Sequence, residues 1–317
     1  MKPLNVFLLT CILVTASCSQ KQGALPSVQA TECADTMALK VAVMPTFSCL
    51  PVYYAQRMGM FDSAGVKICL DRYRAQMDVD TTILRGHVHV AVTDLVRAIR
   101  LQNDSVRLSV LLAADEPLSM VAQKGKRIKK MAQMKERMVA VSRLSATDYW
   151  CQRMQKDAGM DALQLFRPQI NDVFLRADML LNGLIDAAIL PEPYATWTVL
   201  EGNPRVNQSK PNEMSNALWV APFKKKLSDR HLAQFKIFTQ VYRTAVEKLI
   251  SNPQPDTLRT ILVDEFRLPV LLADSIQLPL MALPHIPTEA EVEKASTWLN
   301  EQGKLPKGFS SKDFLQQ

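Results

Sequence analysis

Four short stretches of this chain combine residue types that can hold a small polar solute. Thr93-Asp94 offers a hydroxyl and a carboxylate. Asp94 either accepts a hydrogen bond from an amine or caps the helix that follows, because Asp is a favoured N-cap. Ser142-Arg143-Leu144-Ser145-Ala146-Thr147 places hydroxyls where a helix begins. There Ser145, Thr147 and the unpaired N–H groups suit a carboxylate, sulfonate or phosphate, and an ordinary cap at Ser145 is the competing role. Glu192 stands between Pro191 and Pro193, which stiffen the backbone, with Tyr194 beside it. It either faces a solute or pairs with Arg143. Thr46-Phe47-Ser48 follows an apolar run, and Phe47 either stacks on a flat ligand or caps the core.

Covalent chemistry has less to work with. His87 and His89 alternate, as a metal pair or two ordinary strand-end histidines would. No Ser, Cys or His sits in an elbow or triad signature, so no catalytic residue, metal or cofactor is expected. Cys33, Cys49, Cys69 and Cys151 fit no metal template. They admit three disulfide pairings or remain buried thiols.

The compartment is read from the start of the chain. Met1-Lys2-Pro3 is a short positive segment, Leu4 to Val14 is almost wholly apolar, and Thr15-Ala16-Ser17 places small residues before Cys18. This is a signal peptide over residues 1–17, too short in its apolar part to span a bilayer. Cys18 resembles the lipidated cysteine of a bacterial lipobox, although Thr15 replaces the usual Leu. The expectation is a lipid anchor at Cys18 on a periplasm-facing membrane; plain cleavage near Ala16 or Ser17 is the alternative. Residues 18–37, polar and without period, read as a tether.

The rest of the 317-residue chain is long enough for two domains, and its 48% hydrophobic and 22% charged content is that of a globular protein. The net charge is +7, densest between Lys124 and Arg137. That stretch lacks aromatic base-readers, so it reads as a solvated face and not a nucleic-acid site.

Apolar runs of strand length at Leu39–Met44, Val66–Leu70, His87–Val92, Val106–Ala113, Met138–Val141 and Ile185–Leu190 alternate with helical stretches. That order predicts an α/β protein with mostly parallel sheets flanked by helices. One segment repeats: Leu84-Arg85-Gly86 leading to Val90-Ala91-Val92 aligns with Leu181-Asn182-Gly183 leading to Ala187-Ala188-Ile189. Each is a helix end, a glycine turn and a buried strand running into polar residues. Two similar halves follow, with the polar strand tips facing one crevice, since ligands lie beyond the carboxyl ends of such strands. A long amphipathic helix over Leu232–Ile250 and further helices to the end add no sheet.

Taken in order, these stretches resemble the periplasmic solute-binding proteins of the nitrate, taurine, sulfonate and thiamine-pyrimidine type. The carrying residues are Pro51-Val52-Tyr53-Tyr54-Ala55 with Gly59-Met60-Phe61, Leu84-Arg85-Gly86 to Thr93-Asp94, Leu180 to Gly183, Ile185 to Ala188, and Pro191 to Trp197. The resemblance implies a two-lobed type II periplasmic-binding fold. Lobe 1 would comprise residues 38–117 and 218–317, and lobe 2 residues 118–217. The chain would leave lobe 1 near Asp115-Glu116-Pro117 and return near Trp219. It further implies that the four loops meet in a cleft that captures a small organic solute for an ABC permease and its ATPase. A monomer is expected. Asp94 and Glu192 point to a solute bearing an amine, whose acid group would sit on the Ser145 helix start. The alternative is an enzyme on the same fold, of the menaquinone-pathway dehydratase or thiamine-pyrimidine synthase kind; the leader discriminates against it.

Overall fold

The computed structural model describes residues 37–103, 105–210, 216–223, 228–277 and 281–316. The leader, Cys18 and Cys33 lie outside these residues. No disulfide joins Cys49, Cys69 and Cys151. Among the described residues, no helix is long and apolar enough to cross a membrane.

The first sheet starts with β1 (Leu39–Val43), followed by α1 (Leu50–Arg57) with Pro51 in its first turn and the short α2 (Met60–Ser63). Then come β2 (Ile68–Arg72), α3 (Gln76–Arg85), β3 (Val90–Asp94), α4 (Leu95–Leu101) and β4 (Arg107–Asp115). The chain crosses to the second sheet with β5 (Leu118–Ala122), β6 (Arg137–Ala140), α5 (Ala146–Asp157) and β7 (Leu165–Phe166). That sheet is completed by α6 (Val173–Leu181), β8 (Ala187–Pro191), α7 (Tyr194–Leu200) and β9 (Arg205–Gln208). The chain then returns as β10 (Asn216–Phe223) and ends in α8 (Asp229–Ser251), α9 (Pro255–Asp264), α10 (Val270–Ala273), α11 (Glu289–Glu301) and α12 (Ser311–Gln316).

The two sheets share one plan. Their orders are β2-β1-β3-β10-β4 and β7-β6-β8-β5-β9. In each, one strand runs antiparallel to both its neighbours: β10 between β3 and β4, and β5 between β8 and β9. Those reversed strands are the ones that arrive from the other sheet, so each half is closed by a strand entering from outside it.

The repeated sequence segment occupies equivalent places. Gly86 follows α3 with φ +68° and Gly183 follows α6 with φ +71°, left-handed values that glycine adopts without steric penalty. The strands behind them, β3 and β8, hold the same central position in their sheets. Beneath β10, the fully buried Trp219 packs its ring 5.3 Å from Phe238 and 5.8 Å from Tyr242, both on the apolar stripe of α8.

Candidate functional site

The carboxyl ends of the central strands face each other across a cavity, the place where ligands of such sheets lie. Thr46 and Ser48 reach it from the turn after β1, Thr93 and Asp94 from the end of β3, and Ser145 and Thr147 from the start of α5. These six sequence-predicted residues are therefore brought together.

Three others are not. Phe47 is buried in the core, and its N–H donates to Glu116 Oε1 at 3.2 Å and to the Glu192 carbonyl at 3.1 Å. Tyr194 is buried and donates its hydroxyl to the Phe266 carbonyl at 2.9 Å. Glu192 is 1% exposed; its carboxylate accepts from Thr196 N at 3.0 Å and pairs with Arg205 at 3.2 Å. It does not pair with Arg143, which meets Asp148 at 3.2 Å instead. None of the three lines the cavity, and each makes the hydrogen bonds above inside the fold. His89 Nδ1 accepts the Lys40 N–H at 3.0 Å, and its ring lies 5.0 Å from that of His231. Among the described residues no cluster of three or more His, Cys, Asp or Glu is arranged to hold a metal.

Charged groups that sequence reasoning missed also line the cavity. Arg97, 2% exposed, bonds the Asp80 carboxylate, donates to Ser142 Oγ at 2.6 Å and stands 3.5 Å from Asp94 Oδ2. Arg100 also reaches Asp80, at 2.9 Å. Asp94 Oδ1 accepts the N–H of Arg97 at 3.0 Å, as the cap of α4, and the N–H of Ala146 at 3.1 Å. The start of α5 therefore already holds an anion, the protein's own. Burial raises the Asp94 carboxyl above its ordinary range, while the Arg97 charge opposes that shift.

Arg176 is different. It too is 2% exposed, donating Nε to the Ile170 carbonyl at 2.9 Å and Nη1 to the Ile189 carbonyl at 2.6 Å. No described carboxylate pairs with it directly. Burial pulls its guanidinium down to about 10, so it stays charged at neutral pH. Thr93 Oγ1 is buried beside the same space without a hydrogen-bond partner among the described residues. A buried cation and a buried hydroxyl left unsatisfied both stand to gain from a bound group.

Glu116 lies at the first crossing between the sheets. Its oxygens accept from Phe47 N at 3.2 Å and Ser48 N at 3.0 Å. Burial lifts its carboxyl to about 7, against the bonds from Ser48, Thr46 and Phe47, which favour the charged form. The two halves also touch through Arg74–Asp172 at 2.9 Å and the edge contact of Tyr149 with Trp298 at 5.7 Å.

A family described as NMT1/THI5 like matches residues 46–255. No curated protein matches the sequence. Among solved structures, the periplasmic aliphatic sulphonate binding protein SsuA from Escherichia coli is similar at a TM-score of 0.71 and 14% identity, covering 88% of this chain and 97% of its own. The alkanesulfonate-binding protein SsuA from Xanthomonas axonopodis pv. citri, bound to MOPS, gives 0.71 and 13%, over 89% and 99%. The periplasmic nitrate-binding protein NrtA from Synechocystis PCC 6803 gives 0.71 and 11%, over 88% and 85%. At these identities the likeness is one of fold, and the fold is the periplasmic-binding one.

Proposed function

Because this chain belongs to the NMT1/THI5-like family, we propose that it is the solute-binding protein of an ABC importer and that its solute carries one acidic group. The observation that carries this reading is Arg176, a buried cation lining the cavity whose partners among the described residues are backbone carbonyls. A sulfonate or carboxylate there supplies the missing counter-charge, and Thr93 Oγ1 adds a hydrogen bond. Asp94 and Glu116 in the same lining disfavour a bare dianion and suit a donor at the solute's other end. The acid group moves from the Ser145 helix start to Arg176, because Asp94 already accepts the Ala146 N–H.

In this reading residues 38–117 with 218–317 form one lobe and 118–217 the other, and they close by rotation about the two crossings. A permease and its ATPase receive the solute, and a lipid on Cys18 holds the protein at the membrane. Binding without turnover is favoured by Cys49, whose thiol burial pushes up to about 12, far from a reactive thiolate.

Thermal melts against taurine, alkanesulfonates, nitrate and thiamine precursors test the assignment. A solute at a hundred times its dissociation constant adds about 2.7 kcal/mol of stability. The expected result is a shift with an organic acid that is lost in Arg176→Gln. A shift that survives this substitution, or a preference for an inorganic anion, overturns it.

A further inference from the structure

Lysines and apolar side chains share one pole of the second sheet. Between Lys124 and Arg137 stand seven cations and one acid, Glu136. Lys124, Lys126, Arg127, Lys129, Lys130 and Lys135 are exposed. The segment is not a loose loop. Ile128, Met131 and Met134 are buried beneath it, pinning two tight turns to the core. Asp186 neutralises part of the charge, with Lys126 at 3.1 Å and Arg137 at 3.6 Å.

The apolar part adjoins it. Glu136 N–H donates to the Gln164 carbonyl at 2.8 Å, which sets Leu163 next to Lys135. Leu163 is 93% exposed and Phe166 58%. Met138 is the register partner of Phe166 across the β6–β7 pair, so both point to the same face, and Met138 is also exposed. This pole lies at the start of β6 and β8, whereas the cavity lies at their ends, so contact here leaves the cavity mouth open.

We propose that this pole docks on a bilayer surface bearing anionic headgroups, with Leu163, Phe166 and Met138 entering the interfacial region and the lysines around them facing phosphates. The composition selects a membrane over a protein partner. Lysine is depleted from protein interfaces, whereas long lysine stems laid along apolar surface with their charge at the headgroups are a membrane-surface arrangement. The inference does not depend on which solute the cavity holds.

The test uses the full chain carrying Cys18→Ser, so that no acyl group contributes. It is sedimented with vesicles of phosphatidylcholine alone and with vesicles in which about a third of the lipid is phosphatidylglycerol. Binding is expected only to the anionic vesicles, and it should fall several-fold between about 0.1 and 0.5 M salt. Lys129→Gln with Lys130→Gln and Lys135→Gln should weaken it about a hundredfold, at about fivefold per lysine. Leu163→Ser with Phe166→Ser should weaken it at every salt concentration. All five side chains are exposed, so unchanged melting is the control; should either combination melt early, Lys135→Gln and Phe166→Ser alone carry the comparison. Failure to bind anionic vesicles, equal binding to neutral ones, or indifference to both sets overturns the proposal. Loss of function in cells by these variants, when the protein with this face intact binds no vesicles, assigns the face to a protein and overturns it equally.

Discussion

Asp94, at the end of β3, accepts the backbone N–H of Ala146 at the start of α5 with an N···O distance of 3.1 Å. One carboxylate thus caps its own helix and binds the helix of the opposite half, joining the sheets across the cavity. It also stands beside the Arg97 guanidinium, which bonds Ser142 on that same opposite side.

Asp94→Ala should therefore loosen both helix and junction. We expect a stability loss of about 2 kcal/mol, from the lost cap, the lost bond to Ala146 and the lost contact with Arg97. In the absence of solute, small-angle scattering should give a larger radius of gyration than for the wild type. Asp94→Asn, which keeps an acceptor oxygen, should fall between them; equal profiles for all three would show that this contact does not hold the halves together.

Thr93→Val separates binding from folding. It removes a buried hydroxyl that has no partner among the described residues, so the solute-free protein should melt at the same temperature or a few degrees higher. Affinity for the solute should drop about tenfold, the value of one hydrogen bond of about 1.4 kcal/mol. A variant that binds as tightly as the wild type in calorimetry would remove Thr93 from the ligand's contacts.

Glu116 gives a pH dependence of definite sign. Its carboxyl titrates at about 7 in the fold against 4.5 for an ordinary Glu, so the folded protein holds a proton that the unfolded chain has released. The associated stability is fully present below pH 4.5 and is lost as pH rises through 7. The slope approaches about 1.4 kcal/mol per pH unit between those limits. Denaturant melts across this range should show that slope in the wild type relative to Glu116→Gln, and parallel curves would contradict it.

Cys18→Ser tests the anchor. It should abolish incorporation of labelled fatty acid and release the protein from tight membrane association into a salt-extractable or soluble fraction. Fatty-acid labelling that persists in the variant would place the lipid elsewhere.

Much of this architecture was legible in the residues. Leu39–Val43, the helix–glycine–strand units ending in Val90–Asp94 and Ala187–Pro191, and the apolar stripe of Asp229–Ser251 carry strong local patterns, and the structure follows them. Leu118–Ala122 and Arg205–Gln208 lack such a pattern, and they take their pairing from partners distant in sequence. The strand-end rule picked out Thr46, Ser48, Thr93, Asp94, Ser145 and Thr147, all of which line the cavity. It could not find Arg97, Arg176 or Glu116, since two lie inside helices and one in a crossing. A signal existed for Arg176: it occupies the same buried stripe of α6 as Val173, Ala177 and Leu180, where an unpaired cation is out of place. Tyr194 misled because its hydroxyl is satisfied by Phe266, 72 residues away.

The reversed strand β10 has a consequence for how the chain reaches its native state. β3 and β4 do not pair with each other; each pairs with β10, which follows both in sequence by about a hundred residues or more. Until Asn216–Phe223 arrives, the first sheet has a gap with two bare edges, whereas every strand of the second is drawn from Leu118–Gln208. The segment in the middle of the chain can thus mature before the one that precedes it. An emerging polypeptide halted before Asn216 presents two open strand edges, the form most prone to pair with a neighbour. Late closure by a single interior strand makes this the step at which a chaperone has most to protect.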